Sequence, residues 1–463
     1  MDPTYETMTR TGPADGTYRT PLPGARLLAG VLLTLAVGAC AEVEEFAGEL
    51  FDTETPRERY EVRLDRAGLA GTALATDWRA AGERALSEAL VISSPHVEEG
   101  YLPPGEPDAL SFRVALHRGQ EVRIDISLHS DTATLLFIDA WQVNADSVTT
   151  YNHIESADSG ATFLEFEPRR DGDYVIRVQP ELLRGGRFTL SLQLSPTLAF
   201  PVEGAGDQDI GSVFGDPRDG GVRSHHGIDI FAARGTPAIA AAAGTVYRVR
   251  ETPVGGRVVW LRDERGNRLY YAHLDSQFVT DGQRVMPGDT IGFVGNTGNA
   301  RTTPPHLHFG VYSRGPTNPY WFVHEPRGSV PRLTADTTRL GEWARTSTSE
   351  TALRSAPDTR AGSIAGLPLH TPVRVIAAVG DWYRIRLPDG ASGFLIARQL
   401  ESLDGAVRLT AAAASTAIRA RPDLLADVIA ETEPGETLAV LGNYRDYLFV
   451  RQTDGGRDGW IAQ

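Results

Sequence analysis

Between residues 55 and 90 apolar side chains recur at three- and four-residue spacing in a stretch rich in Ala, Leu, Arg and Glu. That spacing predicts helix, and Gly68 and Gly71 divide it in two. From about Val91 apolar and polar residues alternate instead. Strands are predicted at 111–116, 121–128, 133–139, 162–167, 173–178 and 187–194, separated by Gly, Pro, Asp and Asn. Short strands at this spacing predict an antiparallel β-sandwich over 91–199. Residues 200–327 stay β-rich and glycine-rich, and 328–342, with Pro, Thr and Arg prominent, read as a linker.

The last third of the chain repeats itself. Residues 353–400 and 418–462 each open on R-x-x-P-D, continue through a V-x-V or L-x-V strand and an aromatic region, turn at DG or GG, and close on Gly–aromatic–aliphatic. The DG turns suit two-residue hairpins. Both copies resemble bacterial SH3-like domains, which implies two small barrels, at 343–402 and 403–463. Trp382, Tyr383, Tyr444 and Tyr447 either line grooves for cell-wall peptide, as such modules do in related enzymes, or fill the barrels; the sequence leaves both open. The 91–199 region ends on DGDYVIRV and GGRFTLSLQL and is similar to the jelly-roll-like prepeptidase modules found beside secreted peptidases. The fold class expected is mostly β and multidomain.

A length of 463 residues exceeds one core and fits three or four domains. Lys+Arg number 45 against 60 Asp+Glu, a net charge of −15, so the surface repels phosphate backbones and no nucleic-acid partner is expected. The single cysteine, Cys40, excludes an intramolecular disulfide. It ends a run in which Arg26 precedes an apolar stretch from Leu27 to Val37, followed by Gly38 and Ala39. That stretch is too short to span a bilayer and has the layout of a secretory signal. VGAC resembles the bacterial lipobox. The resemblance implies a lipoprotein signal peptide at 1–39, lipidation and membrane attachment at Cys40, and an anchor and helical segment over 40–90. It places the protein in the cell envelope, and Ala41 after the cysteine favours an outer-membrane lipoprotein facing the periplasm in a Gram-negative host.

Histidine is scarce, 11 in the chain, yet positions 225, 226, 273, 306, 308 and 324 fall within about a hundred residues. They sit in HHGID (225–229), YYAHL (270–274) and PPHLHF (304–309), with His324 outside. Pro304 and Pro305 disfavour helix, so His306 and His308 are expected on one face of a strand, with Leu307 and Phe309 on the other. Gly227 argues for a loop running into a strand at Asp229. His225, Asp229, His273, His306 and His308 read together as a catalytic zinc site. A nitrogen–oxygen donor set suits Zn²⁺, and three protein ligands leave a fourth position open.

In this order the three segments resemble the lysostaphin-type (LytM-like) zinc endopeptidases from about Gly211 to Tyr312. The resemblance implies a zinc peptidase domain over 200–327, a small antiparallel β fold cutting peptide bonds of peptidoglycan. It implies one Zn²⁺ held by His225, Asp229 and His308, with His273 and His306 as catalytic histidines that do not bind it. One of these takes a proton as general base and the other stabilises the oxyanion or protonates the leaving amine; which does which stays open. His226 should be dispensable, and His324 structural or at the surface. Gly310 stands where such enzymes often have Glu, and RTTPP replaces the commoner STGP. The partners implied are stem or cross-bridge peptides of peptidoglycan. The alternative is a non-catalytic wall-binding protein or amidase activator on the same fold.

Overall fold

The computed structural model describes residues 54–463 apart from 131, 145, 327, 331 and 454, so the proposed signal segment and Cys40 lie outside the described residues. Helices α1 (Pro56–Arg66) and α2 (Ala73–Ser87) are separated at Gly68, whose φ of 72° suits a residue without Cβ. Thr72 caps α2 by accepting from the Ala75 amide at 3.3 Å. The buried stripe of α2, centred on Trp78, lies against the sandwich. The Trp78 indole donates to the Pro180 carbonyl at 2.8 Å, and Gln179 Nε2 donates to the Trp78 carbonyl at 2.7 Å.

One sandwich sheet orders Leu90–Val91, Leu110–Leu116, Gly172–Pro180, Leu136–Asn144 and Ser147–Ser156 side by side. The other runs Phe163–Phe166, Gln120–His129, Gly186–Pro196 and β1 (His96–Leu102). Phe112, Ile124, Tyr174, Ile176, Leu190 and Leu192 are among the fully buried residues packed between them.

In the next domain five strands carry the histidine segments: β2 (Ile228–Phe231), β3 (Gly244–Thr252), β4 (Gly256–Asp263), β5 (Arg268–Leu274) and β6 (His306–Tyr312). They lie in the order β2–β6–β5–β4–β3, all antiparallel. Strand alternation sends Ile228, Ile230, Leu307, Phe309, Val311, Leu269, Tyr271, Val259 and Leu261 into one core. The opposite face is free to carry chemistry.

The first barrel includes β7 (Pro372–Val379) and β8 (Trp382–Arg386). β7 pairs antiparallel with β1 of the sandwich, Glu99 opposite Ala378 and Gly100 opposite Ala377, so a single sheet runs from sandwich into barrel. Gly100 permits this approach, since a Cβ there would stand 2.9 Å from the Ile376 carbonyl oxygen and inside the Phe188 ring contact. Glu98, fully buried, pairs with Arg384 on β8 at 2.7 Å and faces His96 at 3.3 Å. Burial alone would raise the Glu98 pKa; the Arg384 and His96 charges outweigh it and hold the carboxyl below its ordinary range. Residues expected as a plain linker pack here too. Ala335 and Leu340 join the barrel core, and the Gly341 amide donates to the Val375 carbonyl at 2.8 Å.

The last sheet repeats six strands of the first barrel in the same order. Ser363–Leu367, Thr351–Arg354, Ser392–Ile396, β8, β7 and Trp343–Thr346 correspond in order to Val428–Glu431, Ala417–Arg419, Gly459–Ala462, Tyr447–Gln452, Thr437–Tyr444 and Arg408–Ala411. Even the irregularities recur: register shifts at Val375/Ala377 and Val440/Gly442. The arginine of each R-x-x-P-D opening closes its own loop, Arg354 on the Ala361 carbonyl and Arg419 on the Ala426 carbonyl. Trp382 and Tyr383 are core residues, 6% and 1% exposed, while Tyr444 packs between the two barrels.

Candidate metal centre and catalytic groove

Register on the open face brings the three segments together. Asp229 on β2 lies opposite His308 on β6, and Phe231 lies opposite His306. On the other side of β6, Ala272 is opposite His308, which places His273 at the end of β5 beside both histidines. His225 arrives from the loop before β2. Gly227 makes that entry possible: a Cβ would stand 2.5 Å from the Phe309 carbonyl oxygen and 2.7 Å from the His308 ring.

His225 Nε2, Asp229 Oδ1 and His308 Nδ1 converge, with separations of 3.0 Å, 2.9 Å and 2.9 Å around the triangle. The His225 Nδ1 donates to the Val213 carbonyl at 2.8 Å, and since a carbonyl only accepts, Nε2 faces the cluster as a lone pair. Two acceptors, this nitrogen and the Asp229 oxygen, thus meet at 3.0 Å with no proton to share, an arrangement that favours a cation. Four ligands at roughly 2.1 Å would be about 3.4 Å apart in a tetrahedron, so the triangle needs to open by only a few tenths of an ångström. Burial would raise the Asp229 pKa, but its close contacts with the His225 and His308 rings hold it well below the usual carboxylate range. Burial keeps His308 neutral by lowering its pKa. An ionised carboxylate and neutral imidazoles are the states a divalent metal requires.

The remaining two histidines are a matched pair. His306 Nδ1 donates to the Pro304 carbonyl and His273 Nδ1 to the Thr297 carbonyl, each at 2.9 Å, which leaves both Nε2 atoms as acceptors. Their rings meet edge to face, centroids 5.0 Å apart. Burial, then the neighbouring His308 and His306, lower the His273 pKa to about 4, so it is a neutral base at pH 7. His273 holds a left-handed backbone, φ 62°, a conformation costing about 1–3 kcal/mol outside glycine.

Residues 223–319 match the family model described as peptidase family M23, and 349–401 match that of the bacterial SH3 domain. The 223–319 stretch is an M23 peptidase domain. Across 122 residues the chain is 38% identical to the L-Ala–D-Glu endopeptidase of Bacillus subtilis, covering 25% of this chain and 37% of that one. Across 93 residues it is 39% identical to the peptidoglycan DD-endopeptidase ShyC of Vibrio cholerae, covering 20% and 21%. The similarity therefore spans little more than a third of the first relative's length and about a fifth of the second's. Among solved structures, a zinc-containing peptidase from Vibrio cholerae is 32% identical over 26% of this chain and 39% of that one, with a TM-score of 0.24.

Several residues of the M23 domain act around the cluster without any signal in the sequence alone. Arg218, from the hairpin of Pro217–Arg218 with Arg223–Ser224, donates to Asp229 Oδ2 at 2.7 Å and so leaves only Oδ1 toward the histidines. Thr297 ties the His273 loop down: its hydroxyl donates to the Leu274 carbonyl at 2.8 Å and accepts from the Arg257 amide at 3.0 Å. Tyr270 stands edge-on to His308, its centroid 5.8 Å away, and burial pushes its pKa up to about 12. Arg218 and Tyr270 border a groove of about 490 Å³ over the open face of the M23 domain. His226 is exposed on its rim, ring against Phe214. His324 lies away from it, paired with Asp207 at 2.7 Å and stacked on Tyr320.

Proposed function

We propose that this protein is a zinc metalloendopeptidase that hydrolyses peptide cross-links of peptidoglycan. The observation carrying the proposal is the convergence of His225 Nε2, Asp229 Oδ1 and His308 Nδ1 beside two imidazoles with free Nε2 atoms. Those three atoms would hold Zn²⁺. Bound there, zinc supplies Lewis acidity, polarising the scissile carbonyl and making water more acidic. Arg218 keeps Asp229 oriented through its bond to Oδ2. His306 or His273 takes the proton of the attacking water on Nε2 as the new C–O bond forms. The base, now protonated on Nε2, or the other histidine once it has taken a proton from solvent, donates to the developing oxyanion or to the leaving amine as the C–N bond breaks. The groove runs along the sheet face and admits an extended peptide. The relatives named above as peptidoglycan endopeptidases support the substrate class, and the lipobox-like segment supports attachment through Cys40 in the cell envelope, with Ala41 favouring the outer membrane.

The test is digestion of purified peptidoglycan by the zinc-loaded full chain, with released muropeptides read by mass spectrometry. Loss of cross-linked dimers and gain of monomers, abolished by chelation, is the expected result. An intact wall in the presence of stoichiometric zinc would replace this reading with a non-catalytic wall-binding or activating role.

A further inference from the structure

The face that bears the histidines continues past them. Across the strands, Tyr270 on β5 lies opposite Gly310 on β6, Trp260 on β4 opposite Tyr270, and Arg248 on β3 opposite Trp260. One step along, Arg268 lies opposite Tyr312 and Arg262 opposite Arg268. Trp260 is 4.4 Å from Tyr270 and 5.3 Å from Tyr312 between ring centroids, and Tyr247 follows at 6.2 Å. All four rings are half-buried, so each keeps surface toward solvent. Gly310 adds neither bulk nor charge to this strip, and a Cβ there would meet the Tyr312 ring at 2.9 Å.

Arg248, Arg262 and Arg268 edge the strip and are exposed. Arg262 and Arg248 lie over the Tyr247 ring at 5.4 and 6.0 Å, and Arg268 reaches the Ser313 carbonyl at 3.4 Å. Among the described residues none of the three is in an ion pair. In a chain of net charge −15, three unpaired guanidinium groups beside exposed aromatic faces are a concentrated site for carboxylates. Three inter-strand steps of about 4.8 Å separate Gly310 on β6 from Arg248 on β3, roughly 14 Å, the span of about four extended peptide residues.

We propose that this strip is a substrate-reading surface for the acidic stem peptide of the cross-link, which lies across the strands from the metal centre toward β3. Its backbone and apolar side chains cover Trp260 and Tyr312, and its free carboxylates engage Arg248, Arg262 and Arg268. The enzyme therefore selects cross-links that carry carboxylates over uncharged glycine bridges. This rests on the endopeptidase reading above.

The experiment compares a defined cross-linked muropeptide dimer having free carboxylates with the same dimer amidated, using the zinc-loaded protein and the Arg248→Gln/Arg262→Gln variant. Wild type is expected to cut the free-acid dimer with a kcat/KM at least about tenfold higher, and the preference to weaken with salt. The variant should lose that preference through a rise of about tenfold in KM, with kcat and the amidated substrate unaffected. Equal rates on both dimers in the wild type, or a preference that survives in the variant, would overturn the proposal. Calorimetric binding of both dimers to metal-free protein separates the two readings. Tighter binding of the free acid without cleavage by the loaded protein sinks the endopeptidase reading and keeps the strip. Equal binding, or none, sinks the strip.

Discussion

At the scale of residues, the candidate metal centre depends on what surrounds its donors as much as on the donors. Asp229→Ala or His308→Ala should leave metal content near zero. His273→Ala should retain a full equivalent of zinc while turnover falls about 10²- to 10⁴-fold. Metal analysis and muropeptide kinetics on the same preparations check both, and full wall digestion by metal-free Asp229→Ala would refute the ligand assignment. Gly227→Ala tests a backbone requirement. Its methyl would collide with the Phe309 carbonyl and the His308 ring, so about 1–3 kcal/mol of stability should be lost, and zinc affinity with it. Thermal melting and zinc titration would show that; a variant with wild-type affinity would mean the loop simply shifts. That the five candidate residues would gather was legible because HLH on an extended strand puts both rings on one face, and because HHGID and YYAHL precede it in order. Arg218 and Thr297 were not legible. Each acts on a residue 11 or more positions away, a relation that exists only after the sheet closes.

Among the elements of the sandwich, alternation found most of the strands whose inward positions are apolar and missed Ser147–Ser156 and β1. The inward residues of β1 are His96, Glu98, Gly100 and Leu102, so its buried face reads as polar. The Glu98–Arg384 pair that hides the strand also joins two domains that sequence separates by more than two hundred residues. Glu98→Gln leaves the Arg384 charge buried without its partner and should cost about 3–5 kcal/mol. Because the Glu98 pKa is depressed in the folded protein, its contribution is fully present above the ordinary value of 4.5 and is lost as pH falls through the lower folded value. Calorimetry should find the sandwich and first barrel melting together at pH 7, with a fall in Tm in strong acid that Glu98→Gln shows to a smaller extent. Identical acid profiles for the two proteins would remove Glu98 as the cause.

For the whole molecule, the repeat in the last third was visible as sequence and reappears as one strand order drawn twice, whereas the sheet shared by sandwich and barrel was not visible. No local pattern in PVRVIAAV announces that its free edge will be taken by β1. The first barrel is consequently not a detachable module. Ending the chain at residue 342 should strip β1 of its neighbour and leave an open sheet edge, with Ala377 gone from the sandwich core. Such a protein should aggregate or melt well below the full chain in light scattering and thermal scans; a monomer of unchanged Tm would contradict this.

The β1–β7 pairing has a mechanical meaning as well. The M23 domain is strung between two bodies that are already hydrogen-bonded to each other, so it occupies a side loop of the force-bearing path. Tension applied between the start of α1 and the end of the second barrel passes across β1 and β7 and is shared by the Glu98–Arg384 clamp. The histidine cluster stays unloaded while that seam holds. Held at both ends, the chain would keep its histidine geometry under strain and feel the load there only when the seam parts.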